Sequence, residues 1–153
     1  MNKQPFTVAI IQARMSSSRL PGKVLREIGE KPMLAHVVQR TQRAKSVHQV
    51  VVATTTEESD NPVAEYCLAH EIPCFRGSMH DVLDRYYQAA KIHQAQVIVR
   101  ITADCPLIDP QVIDETVYGF LGGALSPEAE HDSDISREID FPYDFAANRL
   151  PPP

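Results

Sequence analysis

Apolar positions along the chain come in two spacings that take turns. Short continuous runs alternate with stretches where apolar residues recur every third or fourth position. Phe6–Ile11 (FTVAII) reads as a buried strand, and Val47–Thr54 (VHQVVVAT), rich in β-branched residues, reads as a second. Ile72–Phe75 is a short third strand and Gln96–Ile101 (QVIVRI) a fourth. Between them, Lys31–Ala44 carries Met33, Leu34, Val37, Val38 and Thr41 at helical spacing. Asp60 or Asn61 caps a helix with Pro62 in its first turn, running to about His70. Asp81–His93 places Val82, Leu83, Tyr86 and Ala90 on one side of a helix, and Asp109-Pro110 opens another through about Leu121. Strands separated by helices of this length imply right-handed parallel crossovers, hence a doubly wound α/β sheet with helices on both faces. Ligands of such sheets bind beyond the carboxyl ends of the strands, which singles out the loops after Ile11, Ala53, Phe75 and Ile101.

The pattern stops after Gly122-Gly123. Residues 125–153 hold five prolines and seven acids, with Ile135, Phe141, Tyr143, Phe145 and Leu150 among their large apolar residues. An acidic, solvating tail is one reading. The start of further folded structure is the other, and the aromatic cluster Phe141–Phe145 favours it. The expected division is an α/β domain over 1–124 followed by an acidic, Pro-rich segment over 125–153.

Charge sharpens the picture. The chain of 153 residues has a net charge of −5, yet residues 1–45 carry nine Lys/Arg against two Glu. An acidic body with a basic opening does not suit a general nucleic-acid binder, which is basic overall. It suits a phosphorylated small ligand bound near the N-terminus, or else simply a set of solvated helix charges. No run of about 18 apolar residues is present, so no membrane helix is expected. The start of the chain lacks the pattern of a signal peptide. Cys67, Cys74 and Cys105 form no CxxC pair and suggest reduced thiols in a cytoplasmic setting.

The strongest chemical signal comes after the first strand. Gln12-Ala-Arg-Met-Ser-Ser-Ser-Arg-Leu-Pro-Gly-Lys23 packs Arg14, Arg19 and Lys23 among three serines and a glycine. Turn amides and Ser hydroxyls donate to phosphate oxygens, and three cations can neutralise a triphosphate. Arg forks onto two oxygens while Lys acts as a point charge. The pattern is not a Walker A loop, since Val24 follows Lys23. A basic surface loop is the plainer alternative.

Four ordered motifs carry a resemblance: Gln12–Leu25, Val51–Thr54, Arg76–Ala90 and Val99–Asp109. Together they resemble the sugar nucleotidyltransferases, in the cytidylyltransferase branch that includes CMP-Kdo synthetase and acylneuraminate cytidylyltransferase. Within that branch the chain is most similar to the spore coat polysaccharide biosynthesis protein F type, over roughly residues 6–120. The resemblance implies a Rossmann-like three-layer nucleotidyltransferase fold with a mostly parallel sheet, incomplete at its C-terminus. It also implies CTP over the first loop, a sugar acceptor, Mg²⁺ and release of pyrophosphate, in the service of polysaccharide biosynthesis. Arg14 and Lys23 are then the catalytic cations. Ala13, Arg14, Ser17, Ser18, Arg19 and Lys23 line the substrate, with Thr54, Arg76 and Ser78 as further nucleotide contacts. In-line displacement at phosphorus needs positioning and charge neutralisation, which such a loop supplies.

Thr102-Ala-Asp104-Cys-Pro106 ends the fourth strand. A carboxylate there faces the ligand crevice, where Mg²⁺ is commonly held by one or two carboxylates plus phosphates. Asp104 matches the metal-binding aspartate of the family, although capping is its alternative role. Asp109 caps the helix at Pro110, and Cys105 is read as packing. Asp81 and Arg85 have the i,i+4 spacing of a helix ion pair.

The expected second metal-binding aspartate has no clear match, although Asp140 and Asp144 are available. The chain therefore reads as the nucleotide-binding portion of a transferase, a fragment or a truncation, or a unit completed by forming a homodimer. Two other functions compete with transfer. One is a module that holds a nucleotide without turning it over. The other is a GT-A-like glycosyltransferase, but Ala103-Asp104-Cys105 is no DxD motif, and Asp132-Ser133-Asp134 lies in the acidic segment.

Overall fold

A computed structural model describes residues 4–122 together with Ala146. Among these, strands β1 (Thr7–Gln12), β4 (Gln49–Thr55), β5 (Cys74–Gly77) and β6 (Val97–Thr102) form one sheet in the order β5-β4-β1-β6. All three pairings are parallel. A two-residue hairpin, β2 (Glu27–Ile28) with β3 (Lys31–Pro32), stands apart. The helices are α1 (Met33–Thr41), α2 (Asn61–Ala69), α3 (Val82–Ile92) and α4 (Pro110–Phe120).

Each central strand is buried on both faces, as a parallel sheet between helices requires. Ala9, Ile11, Val50 and Val52 face Leu34 and Val37 of α1, Val63 and Cys67 of α2, and Ile113 and Val117 of α4. Val8, Ile10, Val51 and Ala53 face Tyr86, Ala89 and Ala90 of α3. The doubly wound sheet with helices on both faces is thus the observed architecture. Chain order reverses between β1 and β6, so the crevice for a ligand opens above those two strands.

The boundaries differ from expectation for local reasons. Helix α1 begins at Met33, because Lys31 and Pro32 pair with Ile28 and Glu27 across a turn where Gly29 has φ +67°. Strand β5 begins two residues late, at Cys74. Pro73 has no N–H for the ladder and contributes only its carbonyl, which accepts from Val52 N at 2.8 Å. Asp81 and Asp109 cap as read: their side chains accept from Asp84 N (2.8 Å) and Gln111 N (2.9 Å).

Side chains tie the layers together. Asp114 of α4 accepts from Lys45 N, Ser46 N and the Ser46 hydroxyl at 3.0, 2.8 and 2.6 Å. Arg40, in the last turn of α1, donates from Nε to Ile108 O at 2.6 Å. These four bonds fix α4 and the loop before it against the end of α1 and the segment that leaves it.

Candidate functional site

A cavity of about 550 Å³ lies over the carboxyl ends of β1 and β6, the place where the strand order reverses. Its walls include Arg14, Ser16–Ser18, Arg19 and Lys23 from the loop after β1, and Thr102–Asp104 from the loop after β6. Arg14, Ser17, Ser18, Arg19, Lys23 and Asp104, six of the residues expected in the site, therefore come together.

The loop's shape follows from its sequence. Val24, 3% exposed, anchors its far end in the core. Gly22 takes φ +72°, a left-handed conformation that costs other residues, and its N–H closes the loop on Met15 O at 2.8 Å. The short 3₁₀ turn Lys23–Leu25 comes next. At the near end, Ala13 N extends the sheet ladder to Ala53 O at 3.0 Å, so Ala13 is buried and packs into the core beneath the loop.

Lys23 Nζ meets Asp104 Oδ2 at 2.6 Å across the cavity. That bond, followed by one from Thr102, holds the Asp104 carboxyl below its usual range. Arg100, a cation that sequence reasoning missed, also lines the cavity and lies 5.6 Å from the centre of the Tyr86 ring. Four cations thus line the cavity with one carboxylate, so the charge of its walls suits an oxyanion. A charge inside the otherwise apolar run QVIVRI was the available signal.

Asp60 was missed in its real role. It stands at the start of α2, but its side chain makes no cap bond. Instead it is 1% exposed, accepts from Met15 N at 2.7 Å and accepts from the Thr55 hydroxyl. Both carboxylate oxygens are spent fastening the cation loop to the end of β4.

The remaining expected residues lie outside this cavity's walls. Thr54 is buried, and its hydroxyl has no partner among the described residues. Arg76 donates from Nε to Thr55 O (2.8 Å) and from Nη2 to Glu57 O (3.0 Å). Ser78 Oγ accepts from His80 N and Asp81 N at 3.2 Å each, shaping the turn before α3.

Two expectations need correction. Arg85 makes no ion pair with Asp81: it turns inward, is fully buried, and donates from Nη1 to Ser78 O at 2.5 Å. Asp81 is occupied as the cap. Cys105 does not pack in the core, since it is exposed, with Sγ 3.5 Å from the Thr102 hydroxyl. Asp140, Asp144 and the DxD letters at 132–134 lie outside the described residues.

Comparison with known proteins agrees with this fold. Residues 8–120 match the family profile of cytidylyltransferases. The spore coat polysaccharide biosynthesis protein SpsF of Bacillus subtilis is 39% identical over 109 residues, covering 69% of this chain and 45% of SpsF. A cytidylyltransferase structure from Leptospira borgpetersenii superposes with TM-score 0.71 at 40% identity, over 76% of this chain and 49% of that one. A CMP–2-keto-3-deoxy-manno-octonic acid synthetase complexed with CTP superposes with TM-score 0.65 at 29% identity, over 75% and 47%. The chain spans about half the length of the relatives it matches. With the family profile covering most of its length and the same sheet and loop beneath it, the chain belongs to the cytidylyltransferase family.

Proposed function

We propose that the chain is the nucleotide-binding portion of an enzyme that transfers CMP from CTP to an acidic sugar. The observation that carries this reading is the Lys23–Asp104 pair, set across a cavity rimmed by Arg14, Arg19 and three serines. In the reaction, a sugar hydroxyl oxygen forms a bond to the α-phosphorus of CTP. The bond from that phosphorus to the bridging oxygen breaks, and pyrophosphate leaves. Arg14, Arg19 and Lys23 hold the triphosphate and offset the charge that accumulates on its oxygens.

Among the described residues there is no cluster of three or more metal-binding side chains. Asp104 still suits a hard divalent ion, because its carboxylate is exposed beside the phosphate cavity and the nucleotide's oxygens complete such a shell. The chemistry that Mg²⁺ supplies when bound there is polarisation of the phosphoryl group.

The solved relative with CTP supports the nucleotide, and its name supports an acidic acceptor. The division near residue 124 and an acceptor role for residues 125–153 belong to the same reading. So do a cytoplasmic setting, supported by three free thiols, and pairing of two copies, supported by exposed Leu83, Ile98 and Leu107. A nucleotide-holding module is the second reading, favoured by the half-length match to the relatives.

Calorimetry with CTP and Mg²⁺ tests the site. Lys23→Ala and Asp104→Ala should each weaken binding at least about tenfold, the equivalent of one charge-assisted bond. Wild-type affinity in both variants overturns the assignment. Release of pyrophosphate on adding CTP, Mg²⁺ and a 2-keto sugar acid separates transfer from holding.

A further inference from the structure

Arg85 is the largest fully buried side chain in the described structure. Only its Nη1 is bonded, to Ser78 O, while Nε and Nη2 have no partner among the described residues. Those two nitrogens form the lateral edge of the guanidinium, whose parallel N–H groups match two oxygens of a carboxylate or phosphate. Arg76 shows the contrast, since it uses the same edge on Thr55 O and Glu57 O. In Arg85 that edge is buried and has no partner among the described residues.

Among the described residues no carboxylate bonds to it. Burial, then the like charge of Arg14, lower the Arg85 pKa, with Tyr86 and Asp60 opposing. An arginine remains a cation in proteins all the same. Asp60, the acid that faces it, has already given both oxygens to Met15 N and Thr55. A buried cation without a counter-charge costs several kcal/mol.

The chain nonetheless builds a place for it. A Cβ at Gly77 would stand 3.1 Å from Arg85 Cγ and 2.9 Å from Phe75 Cε1, so the missing side chain is what lets the stem pass. Gly77 ends β5 opposite Thr55, the last residue of β4, so the Arg85 stem stands at the carboxyl edge of the sheet, where β4 lies beside β1, whose loop lines the cavity.

We propose that the lateral fork of Arg85 is a further oxyanion-binding element of the site, taking two oxygens of the bound ligand beside Arg14. This rests on the nucleotide reading above. Because the fork is closed off from solvent, the ligand engages it as the covering residues give way. The oxygens come from a nucleotide phosphate or from the carboxylate of an acidic acceptor. Either one supplies the missing counter-charge.

Arg85→Met keeps the stem and removes the charge, and Arg85→Lys keeps the charge and removes the fork. The full chain and both variants are titrated with pyrophosphate, with CTP and Mg²⁺, and with a 2-keto sugar acid, and the melting of each ligand-free chain is recorded. Arg85→Met should lose about 10- to 100-fold in oxyanion affinity. Its ligand-free melting temperature should not fall, because an uncompensated buried charge has gone. Arg85→Lys should recover only part of the affinity. A loss on pyrophosphate and CTP assigns the fork to phosphate, and a loss confined to the sugar acid assigns it to the carboxylate. Undiminished affinity of Arg85→Met for all three overturns the proposal and leaves the nucleotide reading standing if wild type binds CTP. Arg85-dependent binding of pyrophosphate without any binding of CTP sinks the nucleotide reading and supports the fork. A wild-type chain that binds none of the three sinks both.

Discussion

At the scale of single residues, the informative groups are those whose surroundings contradict their chemistry. Asp60 is a carboxylate buried to 1% exposure, and it survives there because both oxygens are bonded. Asp60→Ala should destabilise the fold by about 2–4 kcal/mol in urea denaturation, since it leaves the Met15 N–H and the Thr55 hydroxyl unsatisfied. Cys67 and Cys74 form a second such case, their thiols hydrogen-bonded to one another. The bond from Cys67, helped by the Arg76 charge, lowers the Cys74 pKa, while the same contact and burial push Cys67 far up. The thiolate is the nucleophile, so Cys74 should be alkylated by iodoacetamide at a lower pH than Cys67. Mass spectrometry across a pH series reads the order directly. Equal or reversed onset would contradict the shared hydrogen bond. These pairings were invisible in the sequence, because Asp60 lies 45 residues from Met15, and Cys67 and Cys74 meet only once α2 packs against β5.

At the scale of elements, the sequence was most readable where one period ran long enough to dominate. The runs around β1, β4 and β6 and the spacing in α3 and α4 located five of the main elements within about two residues. Misplacement occurred at Pro32 and Pro73, where a missing N–H decides which residue may join a ladder and hydrophobicity says nothing. The loop of cations was legible because three charges, three serines and a glycine concentrate there. Arg100 was not, because one charge on a strand looks like ordinary solvent exposure until the topology brings it beside β1. Gly22→Ala should cost about 1–2 kcal/mol of stability, given φ +72° and a Cβ 3.3 Å from Met15 Cε. It should weaken CTP binding as well, because the loop closure at Met15 O would shift. Asp114→Ala breaks three bonds between α4 and the segment after α1. A loss of about 2–3 kcal/mol in denaturant unfolding is expected, with little effect on the cavity's affinity for pyrophosphate.

At the scale of the whole molecule, the sheet ends at β5 and β6 among the described residues. On β6, Ile98 is 48% exposed, and Leu83 and Tyr87 stand one turn apart on the outer side of α3 at 80% and 57%. Exposed apolar side chains beside a terminal strand favour contact with another chain. Sedimentation of this chain should therefore show concentration-dependent association, and Ile98→Lys should reduce it. Sedimentation as a monomer at every concentration would mean these side chains do not mediate contact. Relatives about twice as long have further structure available to cover such a surface.

The bond between Lys23 and Asp104 has a consequence for how ligands arrive. Each group is the other's resting counter-ion, at 2.6 Å. A polyphosphate that draws Lys23 away strands a carboxylate, and a cation that draws Asp104 away strands an ammonium. Delivering both together leaves neither charge alone, so the pair behaves as a latch with two keys. Occupancy by nucleotide and by divalent ion should then be positively cooperative, each raising the affinity for the other by the same factor. Titrating CTP at a series of Mg²⁺ concentrations, and Mg²⁺ at a series of CTP concentrations, should give matching factors after correction for the complex the two form in solution. In Lys23→Ala, where the latch is already open, the shared factor should shrink.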